Sequence, residues 1–339
     1  MEMNHNRRET KIRVIQMGLG PIGQRIVAYL AEREGIELVG AIDIDPDKAG
    51  KDAGVVSGTR ELGVEISPEA EPVLEQEADV VLLTTTSRFE QLASQLEQCI
   101  RAGKSVVSTC EELAFPFETA PDPADRIDRL ARDHQVAVLG TGVNPGFLMD
   151  ALPVFLTSVC RKVEKIEIER FQDASIRRLP FQQKIGAGLT PDQFEEKRKQ
   201  GRIRHVGFSE SIHLIARAMG WHLDKVEDTV SPVIAREPVS SPFLQVEAGQ
   251  CAGLRQVGQG YMDGEVVIHL ELQAYLGHPT PRDTVIIHGD PEIRSTIEGG
   301  VNGDIATCSM VLNALEAVQT AAPGLRTMTD IPLTHWYSR

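Results

Sequence analysis

Cysteine is scarce and unpatterned in this chain of 339 residues: five are present, Cys99, Cys110, Cys160, Cys251 and Cys308, with no C-x-x-C pair among them. An odd, scattered set excludes a disulfide framework and a thiolate metal centre, so no metal is expected and a reducing cytoplasm is the expected setting. Long apolar runs are also missing, and nothing approaches the roughly 20 residues of a membrane span. Basic residues are outnumbered, 35 Lys and Arg against 49 Asp and Glu, which gives a formal net charge of −14. Without a Lys/Arg-rich block, neither nucleic acid nor an anionic membrane is an expected partner. The stretch from Met1 to Glu9 carries charge with no hydrophobic region behind it, and reads as a polar tail without an export signal. No internal repeat or low-complexity linker appears. What is present is 41% hydrophobic and 25% charged, the composition of an ordinary soluble globular protein. Its length suggests about two domains.

The organising stretch is Met17-Gly18-Leu19-Gly20-Pro21-Ile22-Gly23. It follows an apolar run, Ile12 to Gln16, and opens an amphipathic segment, Gln24 to Leu30, which is the order strand, glycine turn, helix. The three glycines have separate tasks in a dinucleotide site: a tight turn at Gly18, backbone approach to a pyrophosphate at Gly20, and helix-on-strand packing at Gly23. The helix N-terminus adds free N–H groups and a positive dipole end. Gly18, Leu19, Gly20, Pro21, Ile22 and Gly23 are therefore expected cofactor contacts. A second strand, Glu37 to Ile42, ends in Asp43, 20 residues after Gly23. An acid there hydrogen-bonds the adenosine ribose hydroxyls and repels a 2′-phosphate, which favours NAD(H). Lys48 or Arg25 leaves NADP(H) open.

Strands and helices alternate through the first half. Ala78 to Thr84 is an apolar strand, Phe89 to Ala102 a helix, Ser105 to Thr109 a strand, Asp122 to Asp133 a helix and Val136 to Gly140 a strand. This is the pattern of an α/β, doubly wound parallel sheet, a Rossmann domain. After about residue 150 the period changes. Val163 to Phe171 alternates, Thr190-Pro191-Asp192-Gln193 opens a helix with a capping box, and a further helix runs from Ser209 to Met219. Strands are expected at 225–235, 250–259, 266–276 and 284–288, with Asp263-Gly264 as a hairpin turn. The second domain is thus expected to be α+β with an antiparallel sheet. Domain boundaries are placed at 1–145 and 146–302, with a last helix near 304–320 packing back, within 303–339, on the first domain.

Candidate chemistry gathers where ligands bind in such sheets, at the carboxyl ends of the strands. Thr84, Thr85 and Thr86 form a hydroxyl cluster there, to be weighed against simple capping of the next helix. Thr109 and Cys110 end the next strand and are counted with the cofactor contacts. Glu111 and Glu112 follow at once, two carboxylates suited to proton exchange, or alternatively an ordinary acidic helix start. Asn144, in Thr141-Gly142-Val143-Asn144-Pro145-Gly146-Phe147, has amide donors and an acceptor for the nicotinamide carboxamide or the substrate. Phe147 and Leu148 are candidate pocket walls. Asp173, Arg177, Arg178, Lys184 and His205 are polar candidates in the second domain, with Arg177 and His205 taken as pocket residues. Asp304, after Gly299-Gly300-Val301-Asn302-Gly303, is either a cofactor contact or a helix cap.

These segments resemble a known family. Gly18-Leu19-Gly20-Pro21-Ile22-Gly23, Ser108-Thr109-Cys110-Glu111-Glu112-Leu113, Asn144 to Asp150, His205-Val206-Gly207 and Gly299-Gly300 with Gly303-Asp304-x-Ala306-Thr307 are similar to 2,4-diaminopentanoate dehydrogenases and the related native amine dehydrogenases. The resemblance runs over nearly the whole chain. It implies a Rossmann domain with an α+β domain of the dihydrodipicolinate-reductase type, a homodimer, and interconversion of amines and ketones with NAD(P)H and ammonia. It implies Glu111 as the catalytic glutamate, with Glu112 as the alternative. The His-His and Lys-rich signature of dihydrodipicolinate reductase is missing, and Glu112 stands where sugar oxidoreductases carry a Glu-Lys-Pro lysine. Two other readings stand beside an amine dehydrogenase: an enzyme for a diamino acid, with Arg177 or Arg178 for its carboxylate, and a non-catalytic NAD(H) sensor.

Overall fold

In the computed structural model, residues 11–338 are described, so the polar stretch from Met1 to Glu9 lies outside them. The chain divides into two compact units, one holding the chain up to Val143 together with Gly303 onward, the other Asn144–Asn302.

The first unit alternates strand and helix: β1 (Ile12–Met17), α1 (Pro21–Leu30), β2 (Ile36–Ile42), α2 (Ala53–Val56), β3 (Ile66–Ser67), α3 (Ala70–Leu74), β4 (Val80–Leu83), α4 (Phe89–Arg101), β5 (Ser105–Ser108), α5 (Pro121–Asp133) and β6 (Ala137–Gly140). The strands pair in the order β6-β5-β4-β1-β2-β3, and the late strand Gly324–Arg326 adds beside β6. Every pairing is parallel. The apolar runs explain this. Val80 and Leu82 face one core with Val14, Ile26, Val311 and Leu315, while Val81 and Leu83 face another with Ile15, Leu92, Leu96 and Ile127. Strands apolar on both sides need cover on both faces, which a parallel sheet with crossover helices provides. The order reverses between β1 and β4, so the glycine turn after β1 stands at the topological switch point.

The helix expected over 304–320 is instead two, Gly303–Asn313 and Leu315–Thr320, separated at Ala314. Cys308, Val311 and Leu315 place both against the β1 side of the sheet with Ile22 and Ile26 of α1. All five cysteines are free, and all but Cys160 are buried.

The second unit carries β7 (Lys162–Asp173), β8 (Lys225–Ile234), β9 (Cys251–Met262), β10 (Glu265–Tyr275), β11 (Arg282–Asp290) and β12 (Ile293–Glu298), with helices α6 (Ala151–Leu156), α7 (Leu179–Lys184), α8 (Pro191–Lys199) and α9 (Phe208–Met219). These six strands pair in the order β12-β11-β7-β10-β9-β8, and Val239–Ser240 pairs separately with Gln245–Val246. The antiparallel expectation needs one correction: β7 and β10 run parallel, so the sheet is mixed. The segment between them holds three helices and four further strands, ample length for the crossover that parallel neighbours require. The expected turn is present at Asp263 and Gly264, both at positive φ (53° and 80°), as a two-residue type I′ hairpin demands. The capping box at Thr190 and Gln193 closes the start of α8. Gly258 and Gly260 on β9 let α9 lie close: a Cβ at Gly258 would come within 2.8 Å of the Phe208 ring. Among the described residues, no helix is long and apolar enough to cross a membrane.

Packing at the glycine turn makes a direct prediction. A Cβ on Gly23 would lie 2.0 Å from the Gly18 carbonyl oxygen. Gly23→Ala should lower stability by about 1–3 kcal/mol, the usual cost of forcing atoms into a filled site. Urea denaturation measures it, and an unchanged midpoint and slope would contradict the packing role.

Candidate active site

Each glycine of the turn has a separate physical reason to be there. Gly18 sits at φ +92°, and its N–H donates to the Ile42 carbonyl at 2.8 Å, joining β1 to the end of β2. Its own carbonyl accepts from the Gln16 side-chain amide and the Thr84 hydroxyl, both at 2.8 Å. Gly23 gives the helix its close approach. At Gly20, in contrast, an added Cβ would meet no protein atom within 4 Å. That open space lies before the helix N-terminus, whose first N–H groups have no partner within the helix. A dinucleotide pyrophosphate fits this cradle, and a side chain at residue 20 would fill it.

Asp43, at the end of β2, has a carboxylate only 10% exposed. Oδ2 accepts the Leu19 N–H at 2.6 Å and Oδ1 the Asp45 N–H at 2.9 Å. Lys48 Nζ stands 3.2 Å from both Asp43 and Asp45. The acid therefore braces the glycine turn while a lysine offsets much of its charge.

The hydroxyl cluster is engaged within the protein, partly at the helix start as the capping alternative allows. Thr84 is turned inward as the second support of the Gly18 carbonyl, bonded also to Gln16 at 2.8 Å. Thr85 and Thr86 donate to Gln95 and Gln91 of α4. These three side chains brace the turn and the helix start, and their hydroxyls are already engaged without a cofactor. Cys110 also needs correction as a side-chain contact: it is 1% exposed in the core beside Leu83 and Leu113, and burial pushes its thiol up to about 12. Its backbone is what borders the sheet edge. Thr109 keeps its N–H on the Leu83 carbonyl at 3.2 Å.

The adjacent glutamates part company. They open a short 3₁₀ turn, Glu111–Leu113, held down by buried Leu113, Ala114 and Phe115. Gly140 at the end of β6 makes room for it, since a Cβ there would come within 2.5 Å of the Leu113 backbone. Glu112 Oε2 accepts the Phe89 N–H at 2.8 Å, and the Glu112 N–H reaches the Ser87 carbonyl at 3.4 Å. Phe89 is the first residue of α4, and its cap residue, Arg88, supplies no side-chain acceptor. Glu112 thus satisfies one of the helix's unpaired N–H groups from 23 positions away. Glu111 is half-buried, and among the described residues nothing bonds its carboxylate.

In the second unit Asn144 is 6% exposed, and among the described residues its Nδ2 has no hydrogen-bond partner. A buried amide donor without an acceptor is costly, and a bound ligand's oxygen would complete it. Phe147 is half-buried and Leu148 buried. Arg177 is buried with its guanidinium 4.1 Å from the Phe181 ring centroid. His205 Nδ1 lies 2.7 Å from the Val206 carbonyl, which can only accept, so the proton is on Nδ1 and Nε2 is left as an acceptor. Burial, with Lys184 and Arg170 nearby, pulls this imidazole down to about 3, so it is neutral at neutral pH. Gln256, fully buried, holds the His205 backbone at both ends: Oε1 accepts its N–H at 2.7 Å and Nε2 donates to its carbonyl at 3.0 Å. Asp304 stands in the first turn of the helix Gly303–Asn313.

Arg170 is the residue that the sequence reading missed. It is 3% exposed, donates to the Val301 carbonyl at 3.0 Å, and lies 3.6 Å from Asp283, which in turn accepts the Val301 N–H at 2.7 Å. Burial brings it down to about 10, still a cation. Its signal was available: Arg170 falls in phase with Ile166 and Ile168 on the buried face of β7.

Residues 147–338 match the model of the 2,4-diaminopentanoate dehydrogenase C-terminal domain, and residues 12–110 match that of the dihydrodipicolinate reductase N-terminus. The chain is 34% identical over 338 residues to a 2,4-diaminopentanoate dehydrogenase of Acetoanaerobium sticklandii, covering 95% of this chain and 94% of the relative. It is 24% identical over 347 residues to an amine dehydrogenase of Streptomyces virginiae, covering 95% and 96%. The solved amine dehydrogenase of Mycobacterium smegmatis superposes with a TM-score of 0.84 at 23% identity, covering 98% of this chain and 99% of that one. On these matches the chain belongs to the 2,4-diaminopentanoate dehydrogenase family, two-domain oxidoreductases whose named relatives act on C–NH2 donors.

Proposed function

We propose that this protein is an amine dehydrogenase that reductively aminates a ketone or aldehyde with ammonia and runs the reverse oxidative deamination. The supporting observation is the division between adjacent acids, with Glu112 engaged at the start of α4 and the Glu111 carboxylate beside it unbonded among the described residues. The nicotinamide cofactor, when bound, exchanges a hydride with the substrate carbon. Gly20 and the α1 N-terminus hold its pyrophosphate, and Asp43 faces its adenosine ribose. Glu111 takes a proton from ammonium to free ammonia, which adds to the carbonyl carbon while one of its own protons passes to the carbonyl oxygen, giving the carbinolamine. The proton held by Glu111 then goes to the carbinolamine hydroxyl, which leaves as water as the C=N bond of the iminium forms. The negative charge of Glu111 stabilises the iminium cation, an effect exerted where positive charge develops. The reading includes small-molecule partners and a homodimer in the cytoplasm.

The acids give the sharpest test. Glu111→Gln should leave cofactor affinity within about twofold and lower ammonia-dependent NADH oxidation by about 10²-fold or more. Glu112→Gln keeps an acceptor for the Phe89 N–H and should retain most activity, whereas Glu112→Ala should lose about 0.5–2 kcal/mol of stability with the cap. Steady-state rates and thermal melts across the three variants measure this. Full turnover in Glu111→Gln would contradict the assignment.

Cofactor choice is read as NAD(H) preferred with NADP(H) usable, because Lys48 offsets Asp43 without removing its repulsion of a 2′-phosphate. Asp43→Asn keeps an acceptor for Leu19 while removing the charge. It should raise the NADPH to NADH ratio of kcat/KM by about tenfold or more. An unchanged ratio would sink this reading of Asp43.

One observation favours a second reading, an enzyme for a diamino acid: Arg170 is a buried guanidinium with Arg177 near enough to depress it further. Arginine recognises a carboxylate by paired hydrogen bonds. Simple ketones compared with keto acids separate the readings. In the second, Arg170→Lys should raise KM for a keto acid by about tenfold and leave that for an uncharged ketone unchanged; equal effects on both would reject it.

A further inference from the structure

Asp150 is a buried acid that the proposed chemistry leaves without a task. It has no solvent exposure, and among the described residues no cation pairs with it. Three donors converge on its carboxylate instead. Gly146 N–H and the Ser211 hydroxyl reach Oδ2, each at 2.8 Å, and Ala151 N–H reaches Oδ1 at 2.6 Å. All three are donors, so both carboxyl oxygens serve as acceptors, where an asparagine would offer one; burial raises this acid's pKa and the three donors work against that rise.

These donors come from separate pieces of the second unit. Gly146, at φ +124°, is the bend of the Asn144–Phe147 turn. Ala151 begins α6, and the Phe147 carbonyl accepts the Leu152 N–H at 2.9 Å, closing the turn on that helix. Ser211 lies on α9, is itself fully buried, and its N–H donates to the Gly207 carbonyl at 3.0 Å, directly after His205 and Val206. One carboxylate therefore ties the turn bearing Asn144 to the helix whose approach bears His205. Asn144 is the residue whose buried Nδ2 has no hydrogen-bond partner among the described residues.

We propose that Asp150, acting with Ser211, is a positioning residue that fixes the Asn144 amide for a ligand's acceptor oxygen and sets it in one frame with His205. Without the Ser211 bond the turn keeps its Gly146 contact but loses its anchor on α9, and the Asn144 amide samples directions that do not meet the ligand. Pre-set donors of this kind matter because aiming a flexible side chain costs free energy at the moment of binding.

The kinetic part of the test rests on the amine dehydrogenase reading, and the exchange part does not. Ser211→Ala, a small change at a buried helix site, is paired with Asn144→Ala and the double variant; Asp150→Asn is the harsher companion. Hydrogen–deuterium exchange of the peptide 144–150 should speed up by about tenfold in Ser211→Ala while that of α9 stays the same. In kinetics, Ser211→Ala should lower kcat/KM by about tenfold with Asn144 present and by less than about twofold in the Asn144→Ala background, the non-additivity expected of coupled groups. An unchanged exchange rate, or the same fold loss in both backgrounds, overturns the proposal. A wild-type protein that turns over neither amines nor ketones overturns the enzymatic reading instead, and the exchange result then still decides whether the carboxylate anchors the turn.

Discussion

The contact between the Gly18 carbonyl and the backbone of Gly23 is the constraint on which the first unit depends. A single methyl at residue 23 would sit 2.0 Å from that oxygen. The approach lets α1 begin immediately at the end of β1, aimed at the switch point, with its N-terminal N–H groups facing the open space at Gly20. Gln16 and Thr84 converge on the same carbonyl, and Asp43 holds the next N–H at Leu19. Each strand that borders the turn contributes one group to keeping it in place. A turn built this way is held by the protein's own bonds, and in the proposed role as a cofactor cradle that reduces the entropy lost on binding.

The same edge shows how neighbouring identical residues come to differ. Glu111 and Glu112 have the same chemistry and share a 3₁₀ turn, yet Glu112 is spent on the first N–H of α4, while among the described residues nothing bonds the Glu111 carboxylate. Capping from across the sheet edge is useful here because Arg88 provides no acceptor of its own. It also ties the β4–α4 connection to the turn that carries Glu111, so the acid and the hydroxyl-rich loop are held by a shared bond. In the second unit, Asp150, Asp283 and Gln256 do comparable work for backbone groups at Gly146, Val301 and His205. Buried polar side chains that satisfy main-chain groups in this way specify one loop conformation among many.

Much of this was legible in the sequence because its causes are local. The glycine triplet, the period-two and helical apolar patterns, the Asp263-Gly264 hairpin and the Thr190 capping box each depend on a handful of consecutive residues. The roles of Thr84, Thr85 and Thr86 did not read out, since the side chains that engage them sit at 16, 91 and 95. Nor did the separation of Glu111 from Glu112, which hinges on Phe89. The parallel pairing of β7 with β10 was hidden because a strand's sequence records which faces are buried and says little about its neighbour's direction. Arg170 was visible as a charge in an apolar phase, and the weight given instead to the exposed-looking run at Arg177 and Arg178 passed over it. The strands Ile66–Ser67 and Gly324–Arg326 are too short to show a period at all.

In the proposed chemistry the Glu111 carboxylate handles the protons that nitrogen and oxygen exchange at the carbon receiving the hydride. A crystal structure of the protein with nicotinamide cofactor and a slowly reacting ketone measures this directly. The account places a Glu111 oxygen within hydrogen-bond reach, about 3 Å, of the position taken by ammonia or the product amine, while Glu112 stays on the Phe89 N–H. A complex in which the Glu111 carboxylate points into bulk water, or in which Glu112 leaves α4 to face the substrate, would contradict it.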